Sequence, residues 1–168
     1  MKKVFKAGII IVGFFAILFL AGSAISKKTD STAQNGAAAI SAFAAPETFF
    51  DFGAIGMKNG KVSRMFSLKN ETEQPLTIKR ISTSCMCTEA FLIGQDNSKK
   101  GPFGMPGHGG SAPDINEVVP PQENRGVDVV FDPAAHGPAG IGKIERAVFV
   151  EDGNGGTQVI TITALVTP

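Results

Sequence analysis

The chain has 168 residues, 43% of them hydrophobic, and a formal net charge of +1; that length holds one domain with appendages, since domains commonly run to about 100–150 residues. From Pro46 onward, eleven basic residues stand against fourteen acidic ones, a net charge of −3, so there is no basic face for phosphates and nucleic acid is excluded as a partner. Thirteen Phe with no Trp and no Tyr mean an aliphatic core with Phe anchors, without the aromatic polar handles that interfaces favour.

Residues 1–26 read as a targeting element. Lys2, Lys3 and Lys6 precede "AGIIIVGFFAILFLAGSAIS", Ala7 to Ser26, which carries no charge. About 20 apolar residues cross a bilayer as a helix, whereas the apolar part of a cleavable signal is about 7–15. Length therefore predicts one N-terminal transmembrane helix, with the leading lysines inside. Small residues at Gly22-Ser23-Ala24 and Ala42-Phe43-Ala44 keep a cleaved signal peptide as the alternative. The first outcome is a single-pass cell-membrane protein with an extracytoplasmic domain; the second is a secreted one. Residues 27–45, "KKTDSTAQNGAAAISAFAA", mix small and polar side chains without a period and predict a flexible linker.

From residue 46 the period is two. "KVSRMFSLKN" puts Val62, Arg64, Phe66 and Leu68 on one face of a half-buried strand. "NETEQP" is a turn by composition, "LTIKRIST" points Leu76 and Ile78 inward, and "VDVVFDP" aligns Val127, Val129 and Phe131 before Asp132-Pro133 stops it. "KIERAVFVED" and "TQVITITALV", separated by "DGNGG", predict a hairpin. Five or six strands at turn-punctuated intervals, with no helical stripe among them, predict an antiparallel β-sandwich over residues 46–168.

The residues also resemble a family. Phe52-Gly53, the Asn70 turn, Pro75-Leu76-Thr77-Ile78, Ser84-Cys85-x-Cys87-Thr88 and Phe131-Asp132-Pro133 follow the order found in the bacterial domain of unknown function 1573 (DUF1573), an immunoglobulin-like sandwich related to ASPM/hydin-type modules. The resemblance runs from Glu47 to about Val166 and implies an exported or envelope-associated module with no assigned reaction. The family usually has Gly where this chain has Met86, and a short connection where this chain has an inserted loop, residues 94–116. That loop is mostly Gly, Pro, Ser and charge, and loops beyond about 12–15 residues are functional or disordered.

Cys85 and Cys87 are the only cysteines. In a regular strand their side chains share a face about 6.6 Å apart, twice the strand rise, whereas a disulfide needs Cβ atoms about 3.5–4.5 Å apart. Convergence therefore requires a bulge or turn at Met86. Four roles stay open: packed thiols, a local disulfide, a redox couple and a metal clamp. Thiolate and thioether donors select Cu(I), and imidazole suits copper or zinc. On that chemistry the candidate ligands are Cys85, Cys87 and Met86, with Met105 and His108 from the inserted loop, and copper is the ion they point to. His136, in the Gly/Pro loop "PAAHGPAG", reads as a solvated loop residue.

Asn70-Glu71-Thr72 matches a glycosylation acceptor pattern that recurs by chance and carries no weight. "GMPGHGG" lacks the Lys-Ser/Thr and preceding strand of a phosphate loop, the carboxylates are scattered, and no nucleophile elbow is present. The sequence therefore predicts a binding module and not an enzyme. It engages the membrane through its N-terminal helix. Its first expected ligand is a protein partner at the cell envelope, and the alternative is a soft metal.

Overall fold

The structure is a computed structural model in which the described residues are 39–107 and 110–168. The helix expected at 1–26 and linker residues 27–38 lie outside them. Among the described residues there is no α-helix, and no helix is long and apolar enough to cross a membrane.

Ten strands follow in chain order: β1 (Ala39–Ile40), β2 (Phe49–Gly56), β3 (Val62–Lys69), β4 (Leu76–Thr83), β5 (Thr88–Ile93), β6 (Lys99–Phe103), β7 (Asp114–Val119), β8 (Asn124–Phe131), β9 (Gly142–Asp152) and β10 (Gly156–Thr167). One sheet is ordered β1-β10-β9-β4-β7, with β2 also on β10, and the other β3-β8-β5-β6. The all-β sandwich expected from the alternation is what forms. β3 buries Phe66 and Leu68, β8 buries Val127, Val129 and Phe131, and Ile78, Val148, Val150, Ile160 and Ile162 of the first sheet join them in one core. In β4 the parity changes midway. Leu76 and Ile78 are buried, then Ile81 and Thr83, because a bulge between Ile78 and Arg80 adds a residue to one side of the ladder.

Three features differ from the sequence reading. The sandwich is not wholly antiparallel, since β1 and β2 run parallel to β10. Parallel pairing needs a long connection, and here nearly the whole domain separates the first strands from the last. The domain also begins before Pro46. Asp152 accepts hydrogen bonds from Ser41 Oγ at 2.8 Å and from the Ala42 N–H at 3.1 Å, and Phe43 enters the core. Lastly, residues 94–116 contain β6 and the start of β7. Lys99 pairs with Asp128 at 3.0 Å and Lys100 with Glu117 at 2.6 Å, but Phe103 is the only buried residue of β6, so the strand shows no alternation to read.

Asn70 is fully buried, and its amide Nδ2 donates to the carbonyls of Gln74, Val119 and Pro120 at 2.8, 2.9 and 3.2 Å. The acceptor pattern around it is thus a turn device.

Candidate metal centre

β4 ends at Thr83 in one sheet and β5 begins at Thr88 in the other, so residues 84–87 carry the chain across the sandwich. The Thr88 N–H donates to the Cys85 carbonyl at 3.1 Å, closing a tight turn. Buried Thr83 holds that turn, its hydroxyl lying 3.0 Å from the carbonyls of both Cys85 and Thr88. Ser84 is tied to Ala147 of β9 by two hydrogen bonds of 2.9 Å, and the Asp132 N–H donates to the Cys87 carbonyl at 2.9 Å. The turn is what brings the sulfurs together: Cys85 Sγ and Cys87 Sγ are 2.8 Å apart.

The connection from β8 to β9 folds over this turn. It enters a short 3-10 segment at Gly137, whose φ of 54° lies in the left-handed region that glycine favours. His136 Nε2 is thereby placed 3.1 Å from Cys85 Sγ. From β9, Arg146 Nε donates to Cys87 Sγ at 3.2 Å. The ligand atoms of Cys85, Cys87 and His136 all lie within 4.8 Å of one another. Cys87 is 2% exposed. Cys85 is half-buried and opens, with His136 and Arg146, onto a cavity of about 570 Å³.

This arrangement separates the two thiols electrostatically. Burial pushes the Cys85 thiol up, but hydrogen bonds from the Cys87 thiol, the Cys87 backbone and His136, together with the Arg146 charge, outweigh it and bring the group from 9.0 to about 7. Burial and the shared hydrogen bond with Cys85 push Cys87 up, against the opposing bond from Arg146. Because a lowered thiol pKa means more thiolate at a given pH, alkylation of the reduced, metal-free protein by iodoacetamide is expected to modify Cys85 first. Its rate should reach half its plateau near pH 7, with Cys87 reacting only in more alkaline solution. Peptide mass mapping across a pH series checks this, and equal reactivity at the two positions contradicts it.

Of the ligands expected from the sequence, the structure brings together Cys85 and Cys87. Met86, 53% exposed, lines a different cavity of about 420 Å³ with Met105. His108 lies outside the described residues. His136 is exposed, as the solvated-loop reading expects, and it is also the imidazole that reaches the sulfurs; Arg146 carries no signal in the sequence pattern. A usable signal for His136 existed in the pairing of strand ends. Thr88 is the register partner of Phe131, so a loop starting just past Phe131 hangs beside the cysteine turn. Reading it required recognising β5, whose "TEAFLI" has a pattern of buried and half-buried residues with no polar face.

Residues 43–99 match the model of a family described as "Protein of unknown function (DUF1573)", which bears out the resemblance over that segment. No curated protein matches the sequence. Among solved structures, a protein of unknown function from Porphyromonas gingivalis W83 superposes with a TM-score of 0.54 at 12% identity, over 80% of this chain and 51% of that one. The chain thus spans about half the length of that relative, and at this identity the likeness shows the fold alone. The secreted serine protease VesC from Vibrio cholerae gives a TM-score of 0.44 at 7% identity over 75% of this chain and 24% of that one. An ASH / PapD-like domain of human CEP192 gives 0.43 at 11% identity over 75% and 85%.

Proposed function

We propose that this chain is an exported, membrane-tethered β-sandwich binding module, and that its ligand is a soft monovalent metal ion of the Cu(I) class held by Cys85, Cys87 and His136. Export and tethering rest on the charge-free run at 7–26. The metal reading rests on one observation, the convergence of two thiols and an imidazole within 4.8 Å.

Charge and donor number favour Cu(I) over Zn²⁺. Two thiolates and Cu(I) leave one negative charge, which the Arg146 guanidinium 3.2 Å from Cys87 balances; a divalent ion would leave this partly exposed cluster with a net positive charge. Structural zinc also takes four protein ligands, whereas three donors converge among the described residues. Seating an ion at about 2.3 Å from each sulfur requires the 2.8 Å sulfur pair to open by roughly 1 Å, a small side-chain rotation. A protein partner at the envelope, the other ligand considered, would add a strand to an exposed edge such as β3 or β6. We favour the metal because its donors converge at the cysteine turn.

The test is a Cu(I) titration of the full chain, purified in detergent under reducing conditions, against a competing chelator. One equivalent is expected, with His136→Ala weakening the affinity by about 100-fold, since a ligand contributes roughly 3 kcal/mol and each 1.4 kcal/mol is tenfold. No binding, or binding indifferent to the histidine, overturns the proposed ligand set.

A further inference from the structure

We propose that the metal-free Cys85–Cys87 pair performs dithiol–disulfide exchange, with Cys85 as the attacking sulfur and Cys87 as the resolving one. This goes beyond metal binding and does not depend on it, although both use the same sulfurs.

Three observations carry it. The sulfurs are 2.8 Å apart, so the bond of about 2.05 Å lies less than 1 Å of closure away, in a turn already held by Thr83 and Ser84. The two sulfurs also differ in access. Cys85 lines the 570 Å³ cavity, whereas Cys87 is buried and does not line it. Finally, each sulfur has its own polar partner: His136 Nε2 stands 3.1 Å from Cys85 Sγ, and Arg146 Nε donates to Cys87 Sγ at 3.2 Å.

The chemistry balances. The Cys85 thiolate attacks one sulfur of a substrate disulfide, forming a mixed disulfide and expelling the other sulfur as a thiolate. Cys87 then attacks Cys85 Sγ, forming the Cys85–Cys87 disulfide and releasing the second substrate thiolate. The pair loses two electrons and two protons, and the substrate disulfide becomes two thiols. Exchange of this kind follows the accessibility of the attacking sulfur and of the sulfur attacked. Because the oxidised pair has no free thiolate, it releases a bound soft metal, so the redox state governs the metal site as well.

The test reacts the full chain, reduced, metal-stripped and in detergent, with oxidised glutathione. Wild type is expected to end as an intramolecular disulfide, lighter by two hydrogens and free of glutathione. Cys87→Ser is expected to accumulate a glutathione adduct on Cys85, and Cys85→Ser to react at least about tenfold more slowly, because its remaining sulfur is buried. Intact thiols in wild type, a stable adduct on wild type, or equal rates for the two Ser variants overturns the proposal. The wild-type product needs no variant to fold. Failure here leaves the Cu(I) titration of the reduced protein unaffected, and failure of that titration leaves the exchange intact, so the two readings fall separately.

Discussion

Replacing Cys85 and Cys87 together with Ser is expected to abolish stoichiometric Cu(I) binding while leaving the thermal midpoint within a few degrees of wild type. Two of the three converging donors disappear. With metal-site free energies of about 10–16 kcal/mol spread over three or four ligands, losing two lowers affinity by roughly 10⁴-fold or more. The fold has little stake in the sulfurs. The turn that carries them is held by the Thr83 hydroxyl, by Ser84 and by the Cys87 carbonyl, none of which the substitution removes. Ser is close to Cys in volume, and its hydroxyl can accept the Arg146 bond that Cys87 gives up. Chelator competition and circular dichroism on the same sample separate loss of ligands from loss of structure. Retained affinity in the folded double variant sinks the proposed site.

The largest effect on stability is expected elsewhere, at Asp152. This carboxylate is 2% exposed and accepts four hydrogen bonds, from Ser41 Oγ, the Ala42 N–H, the Asn154 N–H and the Gly156 N–H, at 2.8–3.1 Å. It closes the β9–β10 hairpin and fastens residues 41–42 to it. Asp152→Ala strands several buried donors, and at about 1–3 kcal/mol for each unsatisfied group the expected loss is roughly 3–5 kcal/mol, a large share of a domain's stability of about 5–15 kcal/mol. The pH dependence has the matching sign. Burial pushes this carboxyl up, but the four hydrogen bonds outweigh it and hold the group below its ordinary value. Its contribution is therefore fully present above about pH 4, the unfolded carboxyl value, and is lost as pH falls toward the folded one. Urea denaturation at neutral pH and again below pH 4 checks both statements. Asp152→Ala should narrow the gap between the two conditions, and an unchanged gap contradicts the assignment.

The strands that the sequence made legible are those whose two faces differ in polarity. β3 and β8 alternate cleanly, and Phe66, Leu68, Val127, Val129 and Phe131 point inward as their spacing requires. β5 and β6 were hidden for opposite reasons. The first lacks a polar face and the second lacks a buried one, apart from Phe103. The parallel edge formed by β1 and β2 leaves no trace in any local window, because its partner β10 lies at the other end of the chain. The candidate site divides in the same way. Cys85 and Cys87 stood out by type and spacing, and the requirement for a turn at Met86 followed from strand geometry, but His136 and Arg146 arrive through the β8–β9 connection and the pairing of β9 with β4. Contacts 51 and 59 residues apart are set by topology, and no spacing rule reaches them.

X-ray absorption at the copper edge on the reduced full chain loaded with one equivalent of Cu(I) addresses the three-donor site most directly. A first shell of two sulfurs near 2.3 Å and one imidazole nitrogen near 2.0 Å is expected, by analogy with protein thiolate and histidine bonds to zinc, with loss of the nitrogen shell in His136→Ala. A shell of sulfurs alone, or an unchanged spectrum when His136 is replaced, would contradict it.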